Sequence, residues 1–115
     1  MDDTFDLRTR RELTEYCLTY PGAYEDYPFD DANWTVMSRR DTKRGFAWIF
    51  ERNGCIWVNV KLAPEWGRLV QSAHESVLPA YHMNKTHWTS VILDGTVPDG
   101  LIKALIDESF RLCGK

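Results

Sequence analysis

Phe46 to Lys61 reads FAWIFERNGCIWVNVK. Two runs of aromatic and β-branched residues flank Asn53-Gly54, a dipeptide that supplies the positive φ angles of a tight type I′ hairpin turn. If Arg52 faces Cys55, the register pairs Phe50 with Trp57, Trp48 with Asn59 and Phe46 with Lys61 on one face. On the other face Ile49 meets Val58 and Ala47 meets Val60. The first face is aromatic and polar, the second small and aliphatic, and either composition suits packing against a helix layer.

Trp34 to Ser38 is aromatic and β-branched enough to precede this hairpin as a further strand. Upstream, Thr9 and Glu12 have capping-box spacing, and Leu13, Tyr16, Cys17 and Tyr20 recur at helical intervals until Pro21-Gly22 ends the stripe. The intervening GAYEDYPFDDAN is a long acidic loop that Tyr24, Tyr27 and Phe29 are expected to pin to the domain. Downstream, Pro64 opens a second helix carrying Trp66, Leu69, Val70 and Ala73, which ends near Ser72 or His74. A short extended piece follows from Val77, then a polar turn from Met83 to Thr86 and a strand from about His87 to Leu93, closed by Asp94-Gly95. After Pro98, Leu101, Ile102, Leu105, Ile106, Ser109, Leu112 and Cys113 outline a third helix, with Gly114 just past its end. The predicted order is α-β-β-β-α-β-β-α, an α+β fold with a mainly antiparallel sheet and three helices.

Composition fits one globular domain spanning residues 1–115, with 43% apolar and 27% charged residues. No apolar stretch approaches the ~20 residues that span a bilayer, and MDDTFDLRTRR does not read as a secretory signal, so a cytoplasmic protein is expected. Cys17, Cys55 and Cys113 are odd in number and widely spaced, which fits reduced thiols, with Cys17 and Cys113 on buried helix stripes. The net charge of −3 argues against a domain-wide basic surface for duplex DNA. Its distribution is uneven, however: Arg39, Arg40, Lys43 and Arg44 cluster in one stretch, and Glu25, Asp26, Asp30 and Asp31 in another.

Across nearly the whole chain the sequence resembles the MmcQ/YjbR family, whose fold is similar to that of CyaY and frataxin. LTEYCLTYPGAYEDYPF, FAWIFERNG, WVNVKLAPE, AYHMNKTHW and VILDGTVPDGLIKALIDESF carry the resemblance in order. The family is commonly labelled DNA-binding, on the idea that two β-hairpins act as wings. The resemblance brings no catalytic mechanism or defined ligand with it.

Three constellations are candidates for function. Tyr81, His82, Asn84, Lys85, His87 and Trp88 combine rings, donors and a cation able to hold a small anionic or planar ligand. The aromatic hairpin face, with Phe46, Trp48, Phe50, Trp57, Asn59 and Lys61, interleaves rings and polar groups as single-strand binders do, or forms the buried face. Arg39, Arg40, Lys43 and Arg44 would tip the first hairpin and reach nucleic-acid phosphates. Lys61, Lys85 and His87 are expected to border one concave site. The acidic loop reads as solvated rather than as a cation site. His82 and His87 are five apart and no thiol stands at zinc spacing, so neither a metal nor another cofactor is expected. Enzyme signatures such as GxSxG, HExxH and the phosphate loop are missing. The leading expectation is therefore a non-catalytic binding domain, a monomer or weak dimer, with nucleic acid as first partner. A small-ligand site is the alternative, and a protein-interaction adaptor a third.

Overall fold

A computed structural model describes residues 7–114. Helix α1, Arg10–Cys17, begins at the expected capping box: Thr9 Oγ1 accepts from the Glu12 amide, and the Glu12 carboxylate accepts from the Thr9 amide. The elements that follow are β1 (Ala23–Asp26), β2 (Thr35–Arg39), β3 (Gly45–Arg52), β4 (Cys55–Lys61), α2 (Pro64–Ala73), β5 (Val77–Pro79), β6 (Trp88–Ile92) and α3 (Asp99–Leu112). The α+β order read from the sequence holds, and the acidic loop adds the short strand β1 by pairing Ala23–Asp26 with the outer side of β2.

All neighbouring strands are antiparallel, in the order β1-β2-β3-β4-β6-β5, so β1 and β5 form the two borders. The β3–β4 hairpin has the register that its turn dictates, from Arg52 opposite Cys55 to Trp48 opposite Asn59. Asn53 and Gly54 take φ of 55° and 79°, the left-handed values that this turn demands. The aliphatic face lies beneath the helices. Ala47, Ile49, Val58, Val60 and Val91 pack with Leu13 and Cys17 of α1, Val70 of α2, and Ile102, Leu105 and Ile106 of α3 in one core.

Phe46 departs from the strict alternation expected of the hairpin. A bulge sets Met37 opposite Ala47 but Ser38 opposite Gly45, leaving Phe46 as the extra residue of β3. Its ring therefore points to the helix side, 5.8 Å from Tyr20 and 4.9 Å from Phe110, instead of joining the aromatic face. Gly45 is confined by the same bulge, since a Cβ there would stand 2.5 Å from Val36 Cγ1. The expected pairing of Phe46 with Lys61 is replaced by a side chain of α3. The Lys61 amide donates to Ser109 Oγ at 2.8 Å, and Ser109 Oγ donates to the Phe46 carbonyl at 2.7 Å.

On the opposite face of the sheet, no helix among the described residues covers Trp48, Phe50, Trp57 and Asn59. The chain around 29–34 and around 81–88 covers them instead, and the ring contacts there form a second, smaller packed layer.

Candidate functional site

The second layer is assembled from rings that arrive on separate segments. Trp34, just before β2, stacks on Phe50 of β3 with centroids 4.5 Å apart. Phe29, 48% exposed, lies 6.0 Å from both Trp34 and Trp48. Trp48 turns its indole N–H back to the Gly45 carbonyl at 3.1 Å, satisfying its one polar atom within its own strand. Tyr81 also stacks on Phe50, with centroids 5.5 Å apart.

A buried polar network fixes Tyr81. Its amide donates to Ser90 Oγ at 2.9 Å and its carbonyl accepts from Asn59 Nδ2 at 2.9 Å, while Ser90 Oγ donates to Asn59 Oδ1. Asn59 and Ser90 are fully buried, so each hydrogen bond also spares a group that would otherwise be stranded from water. The chain then turns sharply: His82 has φ of 63°, and its ring centroid is 4.0 Å from that of Tyr81.

Between these segments lies a cleft of about 450 Å³, lined by Phe29, Asp30, Asp31, Trp34, Trp48, His82 and Met83. A recess of about 140 Å³ shares Asp31, Trp34 and His82 with it and adds Glu51 and Arg52. The Arg52 guanidinium is held over rings, 4.4 Å from the centroid of Tyr81 and 5.2 Å from that of Trp57.

Of the residues singled out from the sequence, Trp48 and His82 line the cleft. Trp57 and Asn59 are buried, the first with its indole N–H on the Arg52 carbonyl and the second beneath Tyr81. Trp88 is half-buried and meets Trp48 edge-on at 6.4 Å. Asn84 caps its own turn by accepting from the Thr86 and His87 amides, and His87 is exposed. Lys85 Nζ donates to the Ala80 carbonyl at 2.6 Å. Lys61 sits opposite Trp88 at the end of β4, and its charge acts on the Cys113 thiol, partly opposing the burial that pushes that thiol up. Sequence reasoning misses Phe29, Asp30, Asp31, Trp34 and Met83 as lining residues. For the four in 27–34 the signal that could have found them is the density of rings there, which taken alone suggests only a pinned loop; Met83 carries no such signal.

The basic hairpin tip is tied to the end of α3. Arg39 Nη1 donates to the Phe110 carbonyl at 2.6 Å with its guanidinium 4.0 Å over the Phe110 ring, and Nη2 bridges to Asp41 at 2.8 Å. Thr42 Oγ1 donates to the Cys113 carbonyl at 2.7 Å, and Arg44 Nη1 approaches the Gly114 carbonyl at 3.4 Å. These donors meet carbonyls that a helix end leaves unpaired. Arg40 and Lys43 lie 5.2 and 6.0 Å from the Tyr24 ring, in exposed positions.

The YjbR family model matches residues 18–112. The chain belongs to the YjbR family. The Escherichia coli K12 protein YjbR is 35% identical over 103 residues, a match covering 90% of this chain and 85% of that protein. YyaQ of Bacillus subtilis is 30% identical over 117 residues, covering 92% of this chain and 98% of its own length. Among solved structures, the Deinococcus radiodurans protein DR2400 superposes with a TM-score of 0.86 at 33% identity, over 96% of this chain and 81% of that one. A Pseudomonas syringae protein at 24% identity, with a TM-score of 0.81 over 91% of this chain and 98% of its own, shares the fold. In this YjbR-family chain no helix among the described residues is long and apolar enough to cross a membrane. Nor, among those residues, do three or more His, Cys, Asp or Glu side chains group so as to hold a metal ion.

Proposed function

We propose that this YjbR-family chain is a non-catalytic binding domain that takes a planar group by stacking in the aromatic cleft. The observation that carries the reading is the convergence of Phe29, Trp34, Trp48 and His82 on one apolar cleft of about 450 Å³. That volume lies in the ~300–1,000 Å³ range of small-molecule sites. His82 adds support. A non-glycine residue held at positive φ costs of order 1–3 kcal/mol, and such residues concentrate at ligand sites. The test is a screen of aromatic fragments followed through the indole N–H resonances of Trp34 and Trp48. A saturable shift at both is expected, and Trp48→Ala should weaken binding at least about tenfold. Leu69→Ala, on the exposed face of α2, should leave binding unchanged. Shifts that avoid both indoles would sink the proposal.

A second reading places nucleic acid at the β2–β3 tip, where Arg40, Lys43 and Arg44 are exposed on one turn. Replacing these three by alanine while keeping Arg39 should flatten the slope of log K against log salt, by up to ~0.9 for each phosphate no longer neutralised. Failure of the parent protein to bind duplex or single strands at low salt would remove this reading.

A further inference from the structure

We propose that the aromatic cleft selects an organic cation, a planar ring bearing positive charge, over neutral or anionic rings of the same shape. The inference rests on the reading of the cleft as a ligand site and adds the sign of the ligand's charge. Aromatic faces carry negative potential and attract cations, most strongly where several rings surround the bound group. Here Phe29 stands 6.0 Å from both Trp34 and Trp48, so three rings border one space. Two acidic residues, Asp30 and Asp31, are among those that line this largely apolar space, and both are exposed. Asp31 accepts the Asn33 amide at 2.9 Å, a bond that fixes the carboxylate in place without neutralising it.

No Lys or Arg is among the described residues that line the cleft. In the adjoining recess Arg52 is accompanied by Asp31 and Glu51, and its guanidinium lies over the Tyr81 and Trp57 rings. Lys85, the cation of the neighbouring turn, donates to the Ala80 carbonyl. An anionic ring would thus enter a space bordered by π faces, beside two acidic residues and with no Lys or Arg in its lining. A neutral ring would gain only the stacking, whereas a cationic ring would gain the stacking together with both electrostatic terms.

Three probes of one shape separate these cases: N-methylpyridinium, toluene and benzoate, each titrated while the Trp34 and Trp48 indole resonances are followed. N-methylpyridinium should bind about tenfold more tightly than toluene, and benzoate more weakly than either. The margin should shrink in high salt. In the variant carrying Asp30→Asn and Asp31→Asn, whose exposed side chains allow the fold to be kept, the margin should fall to about twofold. Equal binding of toluene and N-methylpyridinium, tightest binding of benzoate, or a margin that survives in the double variant would each overturn the charge selection while leaving a stacking site. A parent protein that responds to none of the three would overturn the site and the selection together.

Discussion

Between Phe46 and Lys61, one hydroxyl stands in for a strand-to-strand hydrogen bond. Ser109 accepts from one backbone and donates to the other at a fully buried position. Ser109→Ala removes the bridge and leaves a half-buried N–H and a buried C=O unpaired, so a loss of about 2–3 kcal/mol is expected in urea denaturation. A loss below about 1 kcal/mol would mean that the strands close the gap themselves. Asp94 is a second residue with a checkable role. Its carboxylate accepts from Ser76 Oγ and from the Thr96 hydroxyl and amide, and the Ser76 bond foremost holds its pKa below the ordinary carboxylate value. A carboxylate depressed in the folded state adds stability above its unfolded pKa and loses it as the pH falls through the folded one. Asp94→Asn should therefore lower the melting temperature at neutral pH, and the gap to the parent should close progressively below about pH 4. A gap that is constant from pH 7 to pH 2 would contradict the assignment.

At the level of elements, the β2–β3 turn acts as a C-terminal cap for α3, since Arg39 and Thr42 donate to the Phe110 and Cys113 carbonyls. Arg39→Ala should cost about 1–2 kcal/mol. Amide hydrogen exchange should quicken at the end of α3 while the β3–β4 ladder stays protected, and uniform quickening would argue against a local cap. The element scale is also where the sequence is most readable. Asn53-Gly54 dictates the turn geometry, the period of two then sets each cross-strand pair, and Thr9 with Glu12 marks the start of α1. Legibility ends where tertiary pairing overrides local pattern. Ala23–Asp26 lacks strand alternation and becomes β1 through its bonds to β2. Phe46 changes face because of a bulge against β2 that nothing within β3 announces.

At the scale of the whole molecule, one sheet separates two unlike layers, an aliphatic core under three helices and an aromatic layer under two loops. The first layer follows from local pattern, the apolar stripes of the helices and the alternation along the hairpin. The cleft does not, because Phe29, Trp48 and His82 meet only once the β2–β3 register and the Asn59–Ser90–Tyr81 network are in place. The β2–β3 register, with Thr35 opposite Ile49, brings Trp34 to Phe50, but neither segment alone declares it. The single helix-side core makes a further prediction. Cys17 and Cys113 are buried and their thiols are pushed up by that burial, whereas Cys55 is half-exposed. A thiol reagent should titrate one cysteine in the native protein and all three in urea, with Cys17 and Cys113 appearing in the same transition. Separate transitions would mean that α1 and α3 unfold independently. The borders of the sheet carry a different consequence. β1 is four residues long and includes Glu25 and Asp26, while β5 is three residues long and ends in Pro79. Short, charged or proline-bearing rims are poor templates for another chain. A protein with 13% aromatic residues can thus be crowded against its own copies without seeding cross-β growth from either side.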